Sequence, residues 1–277
     1  MQKSRRVTDG FFTLDSFKTQ ARIIFNYPWI GCEPMSFIFD SHAHYDAEQF
    51  DIDRDAVLTA LPAQGVCGVI QCATDPESIK KSLKMAEQYP YIRVAVGIHP
   101  EFVSAATPDW LDAVRAAAAH PLVCAIGEIG LDYYWEENAP REVQVDWCRR
   151  QIELAMELDL PVIFHDREAH EDTLNLMREY RPRGVVHCFS GSAEMARQLT
   201  DLGLYIGLGG AATFKNARKP VEVAESVPLD RLLVETDAPY MAPVPLRGKR
   251  CDSSMIAHTA ARLAEVRGMD VDRKSTR

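Results

Sequence analysis

Phe37-Ile38-Phe39-Asp40-Ser41-His42-Ala43-His44 is a short apolar run that closes on two imidazoles. The same design recurs downstream. Ile126-Gly127-Glu128, Val162-Ile163-Phe164-His165, Val185-Val186-His187 and Leu232-Leu233-Val234-Glu235-Thr236-Asp237 each end an apolar stretch on an imidazole or a carboxylate. Short apolar runs bounded by turn residues read as strands buried on both faces, as a parallel sheet requires. In α/β barrels the chemistry sits at the carboxyl ends of such strands.

Working outward, β-like runs fall at 37–41, 66–72, 92–97, 122–128, 161–165, 184–188, 204–208 and 231–236. Helical patterns lie between and after them, at 53–61, 76–89, 108–119, 141–158, 168–180, 193–202, 220–227 and 254–267. Strands alternating with helices imply βαβ units. Eight units predict a single-domain TIM (β/α)8 barrel, with an open doubly wound sheet as the alternative. The chain's 277 residues suit a barrel, which needs roughly 250. The barrel domain is expected at 35–271. Residues 1–34 lack clear periodicity and read as a poorly ordered N-terminal extension, and Met35 could be an alternative start. The polar tail at 272–277 reads as disordered, and the C-terminus as shortened.

Composition excludes several classes. With 47% hydrophobic and 26% charged residues the chain is of ordinary globular type, not disordered. No apolar run approaches the ~20 residues of a membrane span. The N-terminus is basic, but Val7-Thr8-Asp9-Gly10 breaks any signal-peptide core, so a cytoplasmic location follows by default. The seven Cys include no C-x-x-C pair, and no disulfide framework is expected. A net charge of −9 argues against broad, non-specific nucleic-acid binding. It leaves room for a few cations at a mouth.

His42 and His44 are spaced i, i+2, which in an extended strand puts both rings on one face and offers two imidazoles to one metal. Asp40 shares that face, as a partner behind the ligands or as a barrel-floor hydrogen bond. Glu128 follows a buried run, and an acid there is costly unless paired or metal-bound. It is the candidate bridge between two ions. Asp132 and Tyr133 lie farther out and are expected to shape the mouth. His165 and His187 end consecutive strands. Asp166, Arg167, Glu168 and His170 contact substrate or cap the next helix. His99 reads as a mouth residue near a substrate phosphate, or as a structural histidine before Pro100. Asp237 and Glu235 are again i, i+2. Asp237 should reach the metal and orient or deprotonate a water, with Glu235 deeper behind it. Arg247, Lys249 and Arg250 form a cationic cluster in a proline-stiffened loop, placed to bind phosphate or simply solvated. Four His with one Glu and one Asp can hold two divalent ions. Mixed His/carboxylate ligation suits Zn or Mn, with Mg possible where oxygen ligands dominate.

The ordered set Asp40-Ser41-His42-Ala43-His44, Gly97-Ile98-His99-Pro100, Gly127-Glu128-Ile129-Gly130-Leu131-Asp132-Tyr133, Pro161-Val162-Ile163-Phe164-His165-Asp166, His187-Cys188-Phe189-Ser190-Gly191, Glu235-Thr236-Asp237-Ala238-Pro239-Tyr240 and Arg247-Gly248-Lys249-Arg250 resembles the TatD-family metal-dependent deoxyribonucleases of the amidohydrolase superfamily. The resemblance covers about residues 36–267. It implies a TIM barrel, metal ligands at His42, His44, Glu128, His165, His187 and Asp237, and 3′–5′ exonuclease action, chiefly on single-stranded DNA. Two features depart from the family pattern. Relatives tend to continue Asn-Glu-Pro after the Arg250 position, where this chain has Cys251-Asp252-Ser253. They also tend to carry one more C-terminal helical segment.

The expected mechanism is phosphodiester hydrolysis by a metal-activated hydroxide, with Glu128 and Asp237 as catalytic carboxylates. One ion is assigned to His42, His44 and Asp237, the other to His165 and His187, both sharing Glu128. The expected partner is DNA, mainly single-stranded, with no membrane and no obligate protein partner. The alternatives are an amidohydrolase-like ester or amide hydrolase, including an aminoacyl-tRNA deacylase, and a non-catalytic binding barrel.

Overall fold

A computed structural model describes residues 38–269. The expectations for 1–34, Met35 and 272–277 lie outside the described residues. Strands and helices alternate: β1 Ile38–Ala43, α1 Arg54–Ala60, β2 Val66–Cys72, α2 Pro76–Gln88, β3 Ile92–Val96, α3 Pro108–Ala118, β4 Val123–Asp132, α4 Arg141–Glu157, β5 Val162–Arg167, α5 His170–Tyr180, β6 Gly184–Val186, α6 Ala193–Asp201, β7 Tyr205–Leu208, α7 Arg218–Ser226, β8 Leu232–Val234 and α8 Ile256–Val266. The strands form one sheet in sequential order. Each pairs in parallel with the next.

The seam between β8 and β1 is joined at its upper end. Ala43 bridges Ala238 in parallel. The Asp237 amide donates to the His42 carbonyl at 3.0 Å, and the His44 amide to the Ala238 carbonyl at 2.6 Å. Eight strands closing on themselves make a TIM barrel and set aside the open sheet. Phe39, Cys67, Cys124, Ile163, Val185 and Leu233 pack together as one buried cluster. A larger apolar cluster, including Leu58, Ile79, Val114, Ile152, Met177, Leu199, Val223 and Leu263, joins the helices to the strands. Most of the described cysteines are buried and act as small apolar residues. No described helix is long and apolar enough to cross a membrane.

Local chemistry explains the boundaries. Asp75 accepts from the Glu77 and Ser78 amides, and Pro76 opens α2, which fixes that helix start. α5 begins at His170, not 168, because Glu168 takes a left-handed φ of +57°. α8 begins at Ile256 because residues 253–255 form a separate 3-10 turn whose N-cap is Asp252. β4 runs to Asp132, four residues past the expected end at 128. Gly130 permits this, with φ +141° and the His165 carbonyl only 2.0 Å from where a Cβ would stand. β6 and β8 instead stop short of 188 and 236. Cys188 and Asp237 take left-handed φ values of +41° and +60°, so the chain leaves the ladder there and turns over the mouth.

Candidate metal centre

Glu128 lies at the middle of the mouth, only 2% exposed, with imidazoles on every side. Its Oε2 is 3.1 Å from both His42 Nε2 and His44 Nε2. Its Oε1 is 2.7 Å from His187 Nε2, 3.0 Å from His165 Nδ1 and 3.3 Å from His99 Nε2. Asp237 Oδ1 stands 3.8 Å from His42 Nε2 and 3.7 Å from His44 Nε2. The structure therefore brings together His42, His44, Glu128, His165, His187 and Asp237. The first and last strands of the barrel supply one side, and β4 to β6 the other.

The tautomers identify what this cluster wants. His44 Nδ1 is 2.9 Å from the Cys72 carbonyl, so it carries the proton. Its Nε2 then presents a lone pair toward Glu128 Oε2 and toward His42 Nε2, 2.9 Å away. His165 Nε2 is 3.1 Å from Asp132 Oδ2. That leaves the Nδ1 lone pair facing Glu128 Oε1 and His187 Nε2, the latter at 3.3 Å. Lone pairs aimed at a carboxylate are satisfied only by a proton or a metal cation. The donor set fits divalent ions of the Zn or Mn kind. Three ligand groupings close enough to hold an ion occur among the described residues: His42–Glu128–His187, His42–His44–Asp237 and His99–Glu128–His165.

The electrostatics follow from burial and this arrangement. Burial would raise the Glu128 carboxyl, but the facing His187, His42 and His99 hold it well below the ordinary range. Burial opposes charge on His44, yet Glu128 and Asp237 push it up to about 9. His165 is pushed up to about 10 against burial by Asp132 and Glu128. Burial, with the His187 ring stacked at 3.7 Å, drives His42 far down. Burial raises Asp237 and lifts Glu235 to about 7.

Four supporting residues either depart from the sequence expectation or resolve an alternative that it left open. Asp132 was expected to shape the outer mouth. It is 1% exposed and holds His165. The signal was in the motif, but only the extended β4 brings its carboxylate over β5. Asp40 is not a partner of the imidazole rings. Its carboxylate accepts from the Thr236 amide and hydroxyl, the Ser253 hydroxyl and the His42 amide, so it ties β1 to the segment after β8. His99 is 6% exposed and lies against Glu128, deeper than a mouth contact. Arg250 is engaged by Asp53 in a bidentate pair, both contacts 2.7 Å, and stacks over Phe50 at 4.5 Å.

Glu235 lies behind His187, with Oε1 3.9 Å from its Nδ1, and accepts the Cys188 amide. It fits because Gly207 leaves room: a Cβ there would stand 2.5 Å from Oε2. Arg247 lies over Phe214 at 3.9 Å, and Lys249 is exposed. Sequence reading missed Lys215 and Lys219, exposed after β7. In barrels the loops after strands seven and eight often bind phosphate, and that rule could have found them.

A barrel with imidazoles and carboxylates gathered at the carboxyl ends of its strands has the form of a metal-dependent hydrolase. The family comparison makes this specific. A model described as TatD related DNase matches residues 39–276, and the chain belongs to that family. It is 41% identical over 235 residues to the uncharacterized metal-dependent hydrolase YabD of Bacillus subtilis, covering 84% of this chain and 92% of the relative. It is 35% identical over 243 residues to the 3′-5′ ssDNA/RNA exonuclease TatD of Salmonella typhimurium, covering 84% and 92%. Among solved structures, the TatD homolog YJJV of Escherichia coli K12 superimposes with a TM-score of 0.81 at 33% identity, covering 87% of this chain and 94% of that one. The protein is a TatD-family metal-dependent hydrolase acting on ester bonds.

Proposed function

We propose that the protein is a 3′–5′ exonuclease of single-stranded DNA that works with two divalent ions, Mg, Mn or Zn. The observation carrying this reading is the division of Glu128, one carboxylate oxygen facing His42 and His44, the other His165, His187 and His99. His42, His44 and Asp237 would hold one ion, His165 and His187 the other, with Glu128 shared and His99 beside it. When bound, such ions acidify water and offset charge on phosphoryl oxygens.

The remaining work belongs to the chain. Asp237 has the more open carboxylate, 16% exposed against 3% for Glu128, and its left-handed turn aims it at His42 and His44. It orients the attacking water and takes its proton. Asp132 and the Cys72 carbonyl fix the His165 and His44 rings in the tautomers that face inward. Arg247 and Lys249, with Lys215 and Lys219 after β7, offset the substrate's phosphate charge. Arg250 is left out of that group because Asp53 holds it.

The test is one gel. Metal-stripped protein is mixed with 5′-labelled single-stranded DNA under Mg, Mn or Zn, beside Asp237→Ala. A metal-dependent ladder shortening from the 3′ end, absent in the variant, is expected. No cleavage by folded, metal-loaded protein would move the assignment to carboxyl esters, including aminoacyl-tRNA.

A further inference from the structure

Tyr134 and Trp135 stand on the loop leaving β4 with 50% and 44% of their surface exposed. Two consecutive large aromatic residues left in water, beside a buried polar cluster, need a reason. They are not loose. Their rings meet edge to face at 4.8 Å and 87°. The Arg167 guanidinium lies 3.9 Å from the Tyr134 ring centre and 5.1 Å from that of Trp135. The Tyr134 amide donates to Asp132 Oδ1 at 3.0 Å, and Asn138 Nδ2 to the Asp132 carbonyl at 3.1 Å. Asp132 in turn holds His165. The aromatic pair is thus tied, through one carboxylate, to an imidazole of the metal centre.

The chemistry of the surface selects its ligand. Aromatic faces beside a guanidinium favour a flat π-system. Glu136 and Glu137, exposed next to Trp135, repel phosphate. Arg167 is already engaged by the two rings, and the cations assigned to phosphate lie on the other flank, since sequential strand order sets β4 across the barrel from β8 and its Arg247–Lys249 loop. A nucleic-acid strand laid over the centre would turn its backbone toward β7 and β8 and a base toward β4. Only an unpaired base can leave its stack at small cost.

We propose that Tyr134, Trp135 and Arg167 form a stacking site for an unpaired nucleobase next to the scissile phosphate, and that this site confers preference for single strands. The proposal rests on the nuclease reading above and names the subsite through which it would act. The rings are already held in place, so little ordering cost is left to binding.

The test separates binding from cleavage. The full chain, manganese-loaded and carrying Asp237→Asn to stop turnover, is titrated with a 5′-fluorescein dodecathymidylate and with the same oligomer made abasic. Anisotropy gives both affinities. The parent should prefer the base-bearing oligomer at least about fivefold. Trp135→Ala should erase that preference, and Trp135→Phe should restore most of it. Lys249→Ala should weaken both oligomers equally. A preference that survives Trp135→Ala, or a parent with no preference or no binding, overturns the proposal. Base-dependent binding by a protein that, with Asp237 restored, cleaves no DNA overturns the nuclease reading and leaves the stacking site standing.

Discussion

The two sides of the metal centre are built differently. His42, His44 and Asp237 lie where the barrel closes, and the backbone itself holds them. The Asp237 and His44 amides donate to the His42 and Ala238 carbonyls, and Asp40 locks Thr236 and Ser253 to the same place. His165 and His187 depend on single side chains. Asp132 orients one, and His187 Nδ1 has no hydrogen-bond partner, only Glu235 at 3.9 Å. Damage at the seam should therefore cost fold before function. Damage at β4 and β5 should cost metal binding with the fold intact.

Glu128 belongs to both sides, so its loss should be the most severe. Replacing a partner behind a ligand typically costs about 10–100-fold in metal affinity or activity. Glu128→Gln is expected to exceed that ceiling of about a hundredfold in kcat/KM and to lower metal content at both positions, read by elemental analysis after gel filtration. Loss of one ion alone would show that Glu128 is not shared.

Asp40→Ala tests the seam. It strands the Thr236 amide and hydroxyl proton and the His42 amide in a site with no water access, while the Ser253 hydroxyl keeps the Tyr45 hydroxyl at 2.7 Å, at a cost of about 3 kcal/mol in urea unfolding. The pH dependence has a definite sign. Burial pushes the Asp40 carboxyl up to about 6, above its unfolded value of roughly 4. A group raised in this way gives stability that is complete below the unfolded value and is lost as pH rises through about 6. The gap between wild type and variant should therefore narrow from pH 4 to pH 7.5. A gap that widens would show that the fold lowers the Asp40 carboxyl below its unfolded value instead of raising it.

Asp132→Asn tests the other side with the fold kept. It leaves an acceptor for His165 Nε2 but removes the charge. About tenfold weaker binding of one ion, with the other unchanged, is expected from a metal titration. Equal weakening of both would erase the distinction between the two sides.

How much of this was legible follows from which contacts are local. Apolar runs ending on His42, His165 and His187 gave the strands, the barrel and the gathering of ligands, because burial and strand geometry act within a few residues. Ends set by backbone turns were not legible. Nothing in Glu235-Thr236-Asp237 announces a φ of +60° at Asp237, so a strand was expected to continue to 236. Asp132 was placed outside because the extra length of β4 depends on Gly130 passing close to His165, a contact between strands. Asp40 could be read as a partner for imidazoles or as a barrel-floor hydrogen bond, and local sequence did not decide because Thr236 and Ser253, its actual partners, lie 196 and 213 residues away.

The cationic loop repeats that lesson and gives the smallest effect. Lys249 and Arg250 are adjacent and of one sign, so the sequence treats them alike. The structure pairs Arg250 with Asp53, 197 residues away, and leaves Lys249 exposed. Lys249→Ala should raise KM for single-stranded DNA a few-fold at unchanged kcat, and reduce the slope of log affinity against log salt by about one. Arg250→Ala should leave that slope alone, because an exposed ion pair contributes little and its guanidinium is already occupied. A slope reduced by Arg250→Ala would show that the guanidinium leaves Asp53 for a phosphate. The β1 side of the mouth would then join the β8 side in binding substrate.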